Sequence, residues 1–328
     1  MIKAGIIGSG IGLKHFEAIN NYRGSKVVAI LEKNLNKIKL LNKKFKNIFI
    51  TADEKKFFNY EFNFISIASY DNFHYSQILK AIKKKCYIVV EKPMCLNLLE
   101  LKKINELVKK NNIKIISNLV LRNNSLFLNF KKKILTKDAY YIEGDYLWGR
   151  KHKLNQWRSK IDEYSITLGA GIHIIDLIIW MLNKKPISVF SKSNNLASKN
   201  QKFKKFSFAT YIFTFSNKLI VKITANATCI HPHYHAIKIF QKNKTLISDI
   251  GGQYLIEKKN NKMQISKMNY DYPDKKNRKN LIRNFIDCIL DKKKIDPSFK
   301  SQVDLMIACL YADLSLKKNK EVKINYSI

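Results

Sequence analysis

Through the first third of the chain, short apolar runs alternate with apolar positions spaced three and four apart. Ile2–Ile7, Val27–Leu31, Phe64–Ala68, Tyr87–Val90 and Ile113–Ile116 are brief and rich in β-branched residues, as buried strands are. Between them lie Leu13, Phe16 and Ile19; Leu35, Ile38, Leu41 and Phe45; Tyr75, Ile78, Leu79 and Ile82; and Leu101, Ile104 and Val108, each set forming one face of a helix. Strands alternating with amphipathic helices predict a parallel sheet covered on both faces, the doubly wound pattern.

The rhythm changes near residue 122. One apolar helix, Gly171 to Leu182, precedes strand-like runs at Ile187–Phe190, Phe206–Phe215, Leu219–Thr228, Ala236–Phe240, Thr245–Ser248 and Met263–Lys267. Helices carrying Leu281, Ile282, Phe285 and Ile289, then Val303, Met306, Ile307, Leu310 and Leu314, close the chain. The expected architecture is α/β: a doubly wound domain over 1–121 and a second α/β domain over 122–328 with a mostly antiparallel open sheet. The terminal helix is free to pack back on the first domain.

Composition narrows this picture. At 328 residues and 46% hydrophobic, the chain is long enough for two domains with real cores. No run reaches the ~18–20 apolar residues of a membrane span, and the N-terminal apolar run, broken by Lys3, does not read as a signal peptide. Five scattered cysteines without a C-x-x-C pair fit reduced thiols in a cytoplasm. The formal charge of +36 raises the possibility of nucleic acid, but only six of the 61 basic residues are Arg, the residue that reads bases and phosphates best. Lys is spread along the chain with Asn and Ile, which share A/T-rich codons. The charge is therefore read as compositional, with an attraction for small anions and no nucleic-acid or membrane partner.

Two clusters carry candidate chemistry. Gly8-Ser9-Gly10-Ile11-Gly12 follows the first strand and opens the first helix, where glycines let a backbone turn tightly beside a pyrophosphate. The third glycine comes one residue early, so Leu13 stands where the last glycine of G-x-G-x-x-G would be. Glu32 ends the second strand, 22 residues after Gly10, where an acidic side chain accepts ribose hydroxyls and disfavours a 2′-phosphate. The predicted cofactor is therefore NAD rather than NADP. Glu91-Lys92-Pro93 then closes a buried strand at the edge where ligands collect in such sheets, and His173 and Asp176 share a face at the start of the apolar helix.

With Ala68-Ser69-Tyr70-Asp71-Asn72-Phe73-His74 and Trp157-Arg158, these motifs resemble the glucose–fructose oxidoreductase / inositol dehydrogenase / rhizopine-catabolism (Gfo/Idh/MocA) family nearly end to end. The resemblance implies a Rossmann domain joined to an open-sheet domain, assembled as homodimers or homotetramers. It implies hydride transfer between a nicotinamide and a secondary alcohol of a sugar, nucleotide sugar or cyclitol. Lys92 would lie at the reacting oxygen, and His173 would be the acid/base. Ser69, Asp71, His74 and Glu91 would join Gly8 to Gly12, Glu32 and Lys92 around the cofactor, Asp71 and His74 having helix capping as the alternative. Trp157 and Arg158 would meet the substrate or pack at the domain interface, and Asp176 would orient the substrate or His173, or serve the helix start electrostatically. Many members carry an acidic residue four before the histidine; here it is Gly169, so either Lys92 and His173 suffice or Asp162, Tyr164 or Asp176 replaces the carboxylate.

The chemistry is coherent: an imidazole takes the hydroxyl proton as hydride leaves carbon, and an ammonium stabilises the developing alkoxide. A nucleotide sugar in surface-polysaccharide synthesis is the first substrate reading. A free sugar or inositol in catabolism is the second, and a non-catalytic NAD(H) sensor on the same fold is the rival. Cys229, His231, His233 and His235 alternate as if on one strand face. Neighbours on that face lie roughly 6.6 Å apart, too far for all to converge on a zinc, so no metal is expected and a face meeting substrate or a partner subunit is preferred.

Overall fold

A computed structural model describes residues 1–328. The chain divides into two compact units, one of 1–120, 276–303 and 328, the other of 121–275 and 304–327.

The first unit holds β1 (Ile2–Ile7), α1 (Gly12–Ile19), β2 (Ser25–Leu31), α2 (Leu35–Lys44), β3 (Phe49–Thr51), α3 (Glu54–Asn59), β4 (Phe64–Ile67), α4 (His74–Lys83), β5 (Tyr87–Val90), α5 (Leu98–Lys110) and β6 (Ile115–Ser117). The strands form one parallel sheet in the order β3-β2-β1-β4-β5-β6, with the order reversing beside β1. Ligands collect at such a switch point, just past the strand C-termini. Ile6, Ile30, Phe64, Val89 and Ile116 build the core, joined by Leu281, Ile282, Phe285 and Ile286. Asn34, Asp53 and Asn97 cap α2, α3 and α5 with side-chain oxygens.

The second unit starts with α6 (Ser125–Lys133) and β7 (Ala139–Leu147), followed by α7 (Ile172–Leu182), β8 (Ser188–Asn194), β9 (Phe208–Thr214), β10 (Ile220–Asn226), β11 (Tyr234–Gln241), β12 (Lys244–Asp249), β13 (Gly252–Lys259) and β14 (Lys262–Lys267). The chain closes with α8 (Asn280–Leu290), α9 (Phe299–Lys318) and β15 (Val322–Lys323). The nine-stranded sheet runs β14-β13-β12-β11-β7-β10-β9-β8-β15, antiparallel except where β10 lies parallel to β7. The predicted α/β class with a parallel sheet and a mostly antiparallel one is what forms. No helix is long and apolar enough to cross a membrane.

Several elements differ from the periodicity reading. The sixth strand is Ile115–Ser117 rather than Ile113–Ile116. The pattern did not mark β3, α3, α6, the central β7, β13 or β15. In β7, Glu143 and Asp145 look like loop residues, yet they bond Lys222 and Thr224 across the sheet. The histidine-rich stretch is not one strand: β11 begins at Tyr234, and His231 lies in the preceding loop.

Candidate active site

The glycine loop turns at Gly8, whose φ of +86° and whose missing Cβ, 2.5 Å from the Ala68 carbonyl oxygen if present, both exclude a side chain. Gly10 has nothing within 4 Å of where a Cβ would stand, so backbone is presented openly at the helix start, as a pyrophosphate requires. Close packing of helix on strand, which the motif gives to its last glycine, is supplied by Gly12, whose Cβ would lie 3.0 Å from Ile6. Leu13 is thereby free to pack partly buried against the core. The loop fits a dinucleotide.

Glu32 is buried and braces this loop. Its Oε2 accepts the Ser9 backbone N–H at 2.9 Å and the Ser9 hydroxyl, and its Oε1 accepts the Asn34 N–H at 2.9 Å. Burial pushes the carboxyl up, but these bonds outweigh it and hold the group below the usual range. Each carboxylate oxygen has two lone-pair sites, so Oε1 retains capacity for a ribose hydroxyl.

Glu91 and His74, both expected at the cofactor, are each held by hydrogen bonds within the first unit. The Glu91 Oε1 accepts from His15 Nε2 (2.9 Å) and Asn118 Nδ2 (2.7 Å), while His15 Nδ1 meets the Ser66 hydroxyl at 2.6 Å. Burial raises the Glu91 carboxyl, and His15 with Asn118 more than reverse that. The network fixes the end of β5, where Lys92 follows directly. His74 is fully buried; its Nδ1 donates to the Pro93 carbonyl (2.7 Å) and its Nε2 faces the Ser69 carbonyl at 3.2 Å. It ties the turn after Lys92 to the loop after β4. Ser69 donates to Gln77 at 2.6 Å, and Asp71 is buried in the 3₁₀ turn Asp71–Phe73.

In the second unit, His173 lies in the first turn of α7. A π-turn, Thr167–Gly171, precedes it, a widened turn frequent at functional positions. Tyr146 stacks on the His173 ring at 5.7 Å, and His235 meets it edge-on at 5.8 Å. His235 is paired with Tyr146 across β11 and β7 and is hydrogen-bonded by the Tyr272 hydroxyl. The histidine stretch thus reaches the site through His235, with the His233 ring 5.0 Å away. No group of three or more His, Cys, Asp or Glu side chains is arranged to hold a metal.

Asp176, expected to orient substrate or His173, is engaged by Arg122: three bonds of 2.5 to 3.1 Å, with both side chains buried. Beneath the π-turn, Thr167 donates to Asp313 at 2.5 Å and accepts from Tyr211 at 2.8 Å. Burial pushes the Asp313 carboxyl up to about 6, against the opposing bonds from Ser165 and Thr167. Trp157 and Arg158 stand in a 3₁₀ turn, with the guanidinium 4.2 Å from the Trp157 ring centre and 5.0 Å from that of Trp148. Lys153 is pushed down by burial and then by Arg150 and Arg158.

Arg122, Asp313, Tyr146, Asn118 and Ser66 escaped the sequence reading. Arg122 had a usable signal: in a chain with six Arg among 61 basic residues, an Arg within an apolar stretch marks a place where the fork matters. Asp313 sits in a helix whose neighbours give no such cue.

Comparison with known proteins agrees with this geometry. Residues 2–119 match the family model of the GFO/IDH/MocA oxidoreductases with an NAD-binding Rossmann fold, and residues 138–247 match the GFO/IDH/MocA C-terminal domain. No curated protein matches the chain at a significant level. Among solved structures, a myo-inositol 2-dehydrogenase from Lactobacillus plantarum is 16% identical, with a TM-score of 0.84 over 99% of each chain. A scyllo-inositol dehydrogenase from Lactobacillus casei, with bound NAD(H) and scyllo-inositol, is 17% identical, with a TM-score of 0.82 over 98% of this chain and 99% of that one. A UDP-N-acetylglucosamine 3-dehydrogenase from Acidithiobacillus ferrooxidans is 14% identical, with a TM-score of 0.79 over 97% and 98%. At these identities the structural likeness concerns the fold, while the two family models together span most of the chain, and the chain belongs to the GFO/IDH/MocA family of NAD-binding oxidoreductases.

Proposed function

We propose that this oxidoreductase transfers hydride reversibly between NAD and a secondary hydroxyl or keto group of a nucleotide sugar. The observation that carries the substrate class is the crowding of Arg150, Lys151, Lys153 and Arg158 near one loop. None of them forms an ion pair among the described residues, and Lys153 is depressed by burial and by its cationic neighbours. A diphosphate relieves that repulsion, the Arg158 fork takes two of its oxygens, and the Trp157 face suits a sugar ring.

NAD supplies the hydride acceptor when bound. Gly8, Gly10 and Gly12 offer backbone to its pyrophosphate, and Glu32 takes a ribose hydroxyl. His173 accepts the proton of the substrate hydroxyl as hydride leaves the carbon, and the Lys92 ammonium stabilises the negative oxygen. Glu91, held by His15 and Asn118, positions Lys92 without touching the reacting atoms.

A free sugar or inositol is a second reading. The Tyr146 and His235 rings around His173 support it by suiting an uncharged polyol, the ligand class of the Lactobacillus casei enzyme. Steady-state kinetics on nucleotide sugars, free sugars and inositols separates the two. Arg158→Ala should raise KM for a nucleotide sugar by about tenfold, the loss of one charge-assisted contact, and leave a free polyol nearly unchanged. Turnover of free polyols alone, indifferent to Arg158→Ala, excludes the nucleotide sugar.

A further inference from the structure

We propose that the Tyr164 hydroxyl is a positioning group for His173, occupying the space that a side chain at residue 169 would otherwise fill. The inference rests on the role of His173 as acid/base given above.

The placement is direct. A Cβ on Gly169 would lie 2.0 Å from the Tyr164 hydroxyl oxygen, 2.5 Å from Cζ and 3.0 Å from Cε2. The phenol head therefore stands where that side chain would begin. Gly169 lies in the π-turn, four residues before His173 and on nearly the same side, and residues so spaced on a helix have Cβ atoms ~5–6 Å apart. That distance puts a hydroxyl at the position of the 169 Cβ within reach of an imidazole at 173.

The phenol is also held in place. Tyr164 is buried, with its ring edge-on to Phe203 at 5.6 Å and to Trp157 at 6.3 Å. Trp157 in turn carries the Arg158 guanidinium, so Tyr164 bridges the substrate loop and the turn that presents His173. Rival carboxylates are committed elsewhere. Asp176 is bonded by Arg122, Asp313 by Thr167, and Asp162 is exposed. The rings of Tyr146 and His235 also lie against His173.

The chemistry follows from the phenol being neutral. It accepts one imidazole N–H, which fixes the tautomer and leaves the other nitrogen to receive the substrate proton. A carboxylate in that place would also stabilise the imidazolium and raise its basicity. The phenol orients the ring without placing a charge beside it.

The test uses ¹⁵N-histidine NMR of the whole protein, with the His173 signal assigned through His173→Gln. Tyr164→Phe keeps the ring packing and removes the oxygen. It should change the tautomer ratio of His173 and lower kcat about tenfold or more, with KM and NADH affinity within about twofold. Tyr164→Ala combined with Gly169→Asp should move the His173 titration up by about one unit. A His173 signal unaltered in both variants overturns the proposal and leaves Tyr164 a packing residue. The spectra need no substrate, so failure of every sugar to turn over counts against the proposed function and not against this inference.

Discussion

The two units treat buried carboxylates in opposite ways. At the ends of β2 and β5, Glu32 and Glu91 each accept several hydrogen bonds, and both are held below the usual carboxylate range despite burial. Beneath the π-turn, Asp313 has bonds from hydroxyls alone, and burial pushes it up to about 6. The first unit thus keeps fixed negative charges that brace its loops. The second leaves Asp313 shifted the other way, so that it ionises only as pH rises through about 6, Asp176 being the exception because Arg122 neutralises it. The lesson is that donor chemistry, more than depth, decides whether a buried acid stays ionised.

Breaking the exception has the largest effect. Asp176→Ala strands the Arg122 cation in the interior and should cost about 3–5 kcal/mol in urea unfolding, whereas replacing both residues by apolar ones of similar size should cost far less. Gly8→Ala comes next. The positive φ and the approach to the Ala68 carbonyl leave no room for a methyl, so NADH binding, followed by fluorescence, should weaken about tenfold or more while α7 is untouched.

The carboxylates themselves give effects of opposite sign. The Asp313 pKa is raised above its ordinary 3.8, so its contribution is fully present below about 3.8 and is lost as pH rises through about 6. Asp313→Asn should therefore stabilise the protein at neutral pH, by up to about 3 kcal/mol if the whole shift is realised, with no gain below pH about 4. Glu91 is depressed, so its contribution is present above the ordinary glutamate pKa and lost as pH falls through its lower folded value. Glu91→Gln should destabilise at neutral pH by about 1–2 kcal/mol, a penalty that vanishes in acid. Thermal melts across pH check both; slopes of the same sign would collapse the comparison.

The parallel sheet was legible because its strands are uniformly apolar and its helices one-sided. The central β7 was not, since Glu143 and Asp145 pair with Lys222 and Thr224 on a strand distant in sequence. Site residues divided likewise. Gly8, Lys92 and His173 announce themselves through local motifs. The roles of Glu91, His74 and Asp176 depend on His15, Pro93 and Arg122, which periodicity cannot bring together. Leu13 illustrates the limit of a spacing rule, because Gly12, one position earlier, meets the packing requirement.

Nicotinamide absorbance on mixing the wild-type chain, NAD and a panel of nucleotide sugars, sugars and inositols tests the central claim most directly, with Lys92→Ala and His173→Ala alongside. The account predicts NADH formation on at least one substrate and a loss of about 10²–10⁴-fold in either variant, with NADH binding retained. Tight NADH binding with no turnover on any substrate, or full turnover in His173→Ala, would contradict it.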